Sequence, residues 1–362
     1  MNLNTDTLYK QLRIPKIDER NYWLVRSNGG EYYDDFFIHK YIAIAWDYIS
    51  LAIMNNKNEG EIKAIIDLNE KSQPTKNELT EEELNAGVVT TIYNKIYRFT
   101  KEFKTGDVVL VPSKNSEFIS IGIIESEVYE DPSYIIDYLE ENPLTEITLC
   151  PYSKRRKVNW LRQISKSKLD IYLSKAFSSH HAISSVNEYA EYIDRNIYSI
   201  YLKGQEMHST LHAGHPNGLT LRELVELSSS LESSLMDLSE NFGLEYRNDN
   251  YMVKINIHSP GLMEFIGIGA GAGVCISILM FAINNLRNGG KFKIGLKVDS
   301  VSGNVEFSLE SETKGERGRD FEFKELELRH QEELLKLVED LQIKSPEFIV
   351  LNSEQSIEKL EN

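Results

Sequence analysis

From Phe265 to Leu286 the chain reads FIGIGAGAGVCISILMFAINNL, 22 residues without a charge. Such a run has to be hidden from water, in a protein core or in a bilayer. It is long enough to span, and Gly267/Gly271 and Gly269/Gly273 have the small-xxx-small spacing of packed membrane helices. Arg287, Lys291 and Lys293 would then mark a cytoplasmic end. The flanks argue the other way. Val253, Ile255 and Ile257 alternate with polar residues, and so do Phe292, Ile294, Leu296 and Val298, as half-buried strands do. A spanning helix would put these strands on opposite sides of the membrane, where neither could cover the other's apolar face. The glycines suit a loop leading into a shorter buried helix, Val274 to Leu286. A buried helix is the expectation, with membrane contact through 265–286 as the alternative. Gly267 to Ala272 also fits G-x-G-x-x-A, and with Asp299 this gives a dinucleotide-turn reading.

A third alternating run, Val305, Phe307 and Leu309, forms a hairpin with the second around Asp299 to Asn304. Lysines on one strand and glutamates on the next suit cross-strand pairing. A charged amphipathic helix, Glu322 to Gln342, and a short apolar run, Phe348 to Leu351, follow. Upstream, 166–245 reads as helical. Ile183 to Lys203 and Thr220 to Leu238 carry apolar residues at three- and four-residue steps, and His180-His181 opens another helix. Gly204 to Gly218 reads as a loop holding His208, His212 and His215. Gly214 and Pro216 break any helix there, and nothing completes a ligand set, so the expectation is no metal.

Near the N-terminus Tyr22 to Val25 and Tyr41 to Trp46 read as a strand pair around the Asn28-Gly29-Gly30 turn. Helical spacing follows over 48–75, an acidic helix start at Thr80 to Glu83, and an amphipathic helix from Val88 to Phe99. Val108 to Pro112 is a continuous apolar strand, hairpinned through Ser113 to Ser116 to Phe118–Ile124, and 132–141 is a short helix. The basic run Lys154, Arg155, Arg156 and Lys157 leads into Val158-Asn159-Trp160-Leu161, which makes it a candidate phosphate-facing edge. A net charge of −16 argues against a protein that coats nucleic acid.

The order YWLVR, GG turn, aromatic cluster, IAIAWD, helices, GDVVLVP, IGII and VNWL resembles a PUA-like domain, akin to the EVE domains fused to Mrr-type restriction endonucleases and other prokaryotic defence proteins. The resemblance covers about residues 18–165. It implies a small β-barrel with flanking helices and an aromatic-lined pocket for a modified base or related ligand. It places Trp23, Arg26, Ser27, Trp46, Asp47 and Trp160 at or near that pocket. Ala45 stands where such domains commonly carry glycine.

The fold expected is therefore α+β in three parts: a PUA/EVE-like barrel over 1–165, a helical connector over 166–245, and a C-terminal α+β domain over 246–362 with an antiparallel sheet and a hydrophobic helix. Two distant cysteines, Cys150 and Cys275, exclude a disulfide framework. The N-terminus carries no secretory signal, and the expected location is the cytoplasm, with the inner membrane as the alternative. No P-loop, nucleophile elbow or H-E-x-x-H occurs, and no cofactor is implied. Asp320 with Glu322-Phe323-Lys324 is the one nuclease-like feature. The function expected is a non-enzymatic, defence-associated sensor or adaptor for a modified nucleobase, nucleotide or nucleic acid, with C-terminal self-association or partner binding. A membrane-acting effector and a metal-dependent nuclease are the alternatives.

Overall fold

The computed structural model describes residues 2–3, 5–72, 86–169, 171–178, 181–213, 219–255, 262–287, 292–298, 304–311, 322–324 and 331–344. The chain is α+β and divides into two compact units, Glu19–Ile193 and Met1–Asp18 with Asp194–Asn362. The sequence had placed divisions near 165 and 245.

Glu19–Ile193 is organised on a curled half-barrel of seven strands. Its path runs Tyr41–Ile44, Lys154–Ser165, Phe118–Ile124, Val108–Pro112, Tyr22–Val25, Ile183–Ser185, with Tyr129–Glu130 beside Lys154–Ser165. Val108–Pro112 is buried at every residue, as a central strand covered on both faces must be. It pairs in parallel with Tyr22–Val25 and antiparallel with Phe118–Ile124, the expected hairpin. The expected pairing of Tyr22–Val25 with the Tyr41 strand is corrected. A helix, Tyr33–Ile38, uses up the intervening aromatics, and Tyr41–Ile44 pairs instead with Lys154–Lys157. At Ile121/Gly122 the register with the long strand shifts, so that Gly122 faces Trp160. A Cβ on Gly122 would lie 2.5 Å from Val158 and 2.7 Å from Trp160. Helices Leu51–Asn56, Glu59–Ser72 and Ala86–Tyr97 form a satellite core around Ile49, Ile62, Ile66, Ile92 and Ile96. The acidic start at 80–83 lies outside the described residues.

In the second unit a six-stranded sheet runs Tyr251–Ile255, Leu262–Ile268, Glu206–Ala213, Ile200–Lys203, Lys16–Ile17, with Ile343–Lys344 beside Glu206–Ala213. Helix Gly269–Arg287 packs on it with Leu221–Asn241, Gln331–Asp340 and Thr5–Gln11. Every residue from Val274 to Met280 is buried, as in a helix enclosed on all sides. The uncharged run is thus a strand followed by a helix, not a glycine loop and a helix. Among the described residues no helix is long and apolar enough to cross a membrane. Leu221–Asn241 begins at a capping box in which Thr220 and Glu223 cap each other's backbone N–H.

Several sequence expectations are corrected in this unit and at its junction. Ile183 to Lys203 is strand Ile183–Ser185, helix Ala190–Ile197 and strand Ile200–Lys203. The supposed histidine loop is the strand Glu206–Ala213, and His181 precedes a strand; His180 and His215 lie outside the described residues. Four residues along a strand span about 13 Å, so His208 and His212 do not chelate one ion as a helical pair would. The Gly267–Ala272 turn joins a strand whose two neighbours are both antiparallel, which is not the parallel frame that a dinucleotide turn needs.

Phe292–Val298 and Asn304–Ser311 form the expected hairpin, but in a separate four-stranded sheet ordered Asn2–Leu3, Asn304–Ser311, Phe292–Val298, Glu322–Lys324. Lys293 stands opposite Glu310 and Lys297 opposite Glu306. Glu322–Lys324 is a strand rather than a helix start; the helix is Gln331–Asp340. Lys291, Asp299, Asp320 and 348–351 lie outside the described residues.

Candidate ligand-binding site

The chain leaves strand Tyr41–Ile44 through Ala45 and enters Trp46 with φ at 66°. A bulky residue in the left-handed region is strained, and such strain persists only where surrounding bonds hold it. Here Lys154 holds it. Its Nζ, buried within the unit, donates to the Trp46 carbonyl oxygen at 2.9 Å and to Asp47 Oδ1 at 3.0 Å. Asp47 also accepts from Ser153 Oγ at 2.7 Å and from the Ser153 backbone N–H. Burial pulls the Lys154 ammonium below its usual range, and Asp47 pulls it partly back.

Beside Trp46 lies a pocket of about 330 Å³. Val25, Ala43, Ile44, Ala45, Ala182 and Ile183 give it apolar walls, and Asn28 and Gly29 close one side. Its charged lining is Arg26 and Lys95, with no carboxylate. Arg26 is set in place by its backbone N–H to the Ala182 carbonyl at 2.9 Å and by Nη2 to the Phe177 carbonyl at 2.7 Å. Lys95 comes from helix Ala86–Tyr97, and its Nζ lies 5.5 Å from the Trp46 ring centre. Among the described residues Lys95 has no carboxylate partner. Burial lowers the proton affinity of both cations. Tyr152, edge-on to Tyr32 at 5.5 Å, completes the lining; burial first, then Tyr32 and nearby acids, push its hydroxyl up to about 12.

Of the residues that the resemblance names, Arg26 and Trp46 line this pocket, and Trp23, Ser27, Asp47 and Trp160 do not. Trp23 is buried, stacked on Phe103 at 4.4 Å, and its Nε1 donates to Asp107 Oδ2 at 2.8 Å. Ser27 is buried, and its Oγ has no hydrogen-bond partner among the described residues. Asp47 anchors the turn under Trp46 rather than lining the pocket. Trp160 donates to the Phe36 carbonyl oxygen at 3.1 Å and lines neither this pocket nor its neighbour.

The phosphate-facing reading of Lys154, Arg155 and Arg156 is corrected. All three are buried, and only Lys157 is exposed. Arg155 lies 3.6 Å from the Tyr134 ring centre and 4.2 Å from that of Tyr41, and donates to the carbonyl oxygens of Tyr152 and Cys150. Arg156 donates to the Phe99 and Ser126 carbonyl oxygens. Loop carbonyls that would otherwise be orphaned take up these guanidinium donors.

A second polar centre was not foreseen. Asp35, fully buried, accepts from Tyr41 Oη and Tyr134 Oη at 2.5 Å each, from the Cys150 N–H at 2.6 Å, and contacts His39 Nδ1 at 2.7 Å. Burial pushes both tyrosine hydroxyls well above their ordinary range, so they stay protonated and donate. Burial also pushes the Cys150 thiol up to about 12, which leaves it unreactive. In the other unit His208 stacks on Tyr201 at 4.7 Å and pairs with buried Glu264 at 2.9 Å, which Arg195 approaches at 3.6 Å. Among the described residues no group of three or more His, Cys, Asp or Glu is arranged to hold a metal.

Residues 22–186 match the family model of a domain of unknown function, DUF8426. The match covers the half-barrel and every residue of the pocket. No curated protein and no solved structure matches the chain.

Proposed function

We propose that Glu19–Ile193 is a PUA/EVE-like module that binds a modified base or nucleotide-like ligand in the pocket beside Trp46. The chain as a whole would be a cytoplasmic, defence-associated sensor, with the second unit serving self-association or partner binding. The observation that carries this reading is the meeting of an indole, two cations and apolar walls in one small pocket. A flat heterocycle needs a stacking surface, and its polar edge or anionic substituent needs donors. Trp46 offers the first; Arg26 and Lys95 offer the second. The motif order that resembles PUA-like domains agrees with it, as does a half-barrel built from those motifs.

The test is calorimetric titration of the full chain with nucleobases, nucleosides and nucleotides, modified and unmodified, beside Trp46→Ala. Binding by the native chain that disappears in a folded Trp46→Ala variant supports the reading. Failure of the whole panel to bind the native chain sinks it.

A further inference from the structure

The pocket shares Asn28 and Gly29 with a larger neighbouring cavity of about 770 Å³. The two cavities carry opposite charge. The pocket has Arg26 and Lys95 and no acid; the neighbour has Glu31, Asp34 and Glu117 against Lys114 alone. All three carboxylates are on exposed residues. A base delivered by a strand brings flanking phosphates, which must lie on the surface around the mouth. Proteins that accept strands line that surface with Lys and Arg, and their affinity comes largely from those contacts. On the Asn28–Gly29 side this chain presents carboxylates instead. The basic run that could have served, Lys154 to Arg156, is buried. The whole chain carries −16.

Resting on the function proposed above, we infer that the pocket takes a free mononucleotide and not a nucleotide within a nucleic-acid strand. Its phosphate meets the charges of Lys95 and Arg26, and its base lies against Trp46. Lys95 suits that role, because among the described residues no carboxylate competes for its ammonium. A volume of about 330 Å³ is at the small end of ligand pockets, which suits one nucleotide. The acidic rim repels the flanking phosphates of a strand and leaves a single phosphate inside the pocket unopposed.

The experiment measures affinity of the full chain for three probe sets at two salt concentrations: nucleosides, the matching 5′-monophosphates, and single- and double-stranded oligonucleotides containing the same base. Monophosphates are expected to bind at least about tenfold tighter than nucleosides and at least about tenfold tighter than oligonucleotides, as expected for a gained or lost charge contact. Lys95→Gln should weaken monophosphate binding by at least about tenfold, and by more than it weakens nucleoside binding. Asp34→Lys with Glu117→Lys should raise oligonucleotide affinity without changing that for monophosphate. Oligonucleotides that bind as tightly as monophosphates, with affinity falling steeply as salt rises, overturn the inference in favour of a strand. Nucleosides that bind as well as monophosphates overturn it too, while leaving the base-binding function standing. Absence of binding by all three sets removes both.

Discussion

The ammonium of Lys154 donates to the main-chain oxygen of Trp46 at 2.9 Å, across 108 residues of sequence. A buried cation therefore holds the strained residue that presents the pocket's indole.

Lys154→Met should cost the chain about 2–4 kcal/mol, because charged hydrogen bonds to the Trp46 carbonyl and to Asp47 are lost together. The carboxylate of Asp47 is partly exposed and rehydrates, so the Trp46 carbonyl accounts for much of the loss. Urea unfolding measures it. A change under about 0.5 kcal/mol, the scale of an ordinary surface substitution, would show that this bond does not hold the turn.

Asp35→Asn keeps the shape and removes the charge. Its amide can accept from only part of a set of donors that includes Tyr41, Tyr134 and the Cys150 N–H, and its own NH₂ would face O–H or N–H groups. Breaking such a buried network is expected to cost about 3–5 kcal/mol. Thermal and urea melts against the native chain read this directly, and a near-neutral result would place Asp35 outside the stabilising network.

Two adjacent glycines should respond differently to alanine. Gly30 has φ at 96°, and a Cβ there would lie 2.2 Å from the Lys114 backbone nitrogen. Gly29 has φ at 67° with nothing within 4 Å of that position. Gly29→Ala is expected to cost only left-handed strain, about 1–2 kcal/mol. Gly30→Ala adds a backbone clash and should cost at least about 1–3 kcal/mol more. Equal losses in paired melts would contradict the close approach of these two turns.

Anion binding should weaken at alkaline pH. Burial places the Lys95 pKa below 10.5, and only its charged form holds an anion. Bound phosphate raises that pKa again, so affinity is highest below it and falls as pH rises through it, by at most about one decade per pH unit. Tyr152 stays protonated up to about 12, and Arg26 stays charged. A phosphate monoester is already a dianion above pH 7. Dissociation constants from pH 7 to 10.5 should therefore show the fall in the native chain and lose it in Lys95→Gln. A flat native profile would remove Lys95 from the anion's contacts.

Local patterns in the sequence were legible wherever neighbours along the chain decide the structure. The all-apolar run at Val108–Pro112 and its hairpin, the alternation of Phe292–Val298 with Asn304–Ser311, and the helical spacing from Thr220 to Leu238 are all read from residues a few positions apart. Ile183–Lys203 misled because a short helix between two strands offers apolar residues at spacings that also fit one long helix. At the site, Trp46 and Arg26 were legible through the motif order. Lys95 and Tyr152 were not, since one is a lysine on an amphipathic helix and the other sits in a connection, with no periodicity to mark either.

What the sequence by itself determined is the local elements, their α+β mixture, and the need to bury the uncharged run from 265 to 286. What only the tertiary structure decided is which charges and which indoles face inward. Lys154, Arg155 and Arg156 form a basic run on paper. Their carbonyl and carboxylate partners lie from three to 108 residues away, and those partners offset the cost of taking the charges out of water. Trp23 lies within one strand and Trp46 just after another, yet one meets Asp107 in the core and the other lines the pocket. A side chain's neighbours across a sheet come from segments remote in sequence, so its environment follows from packing and not from the residues beside it.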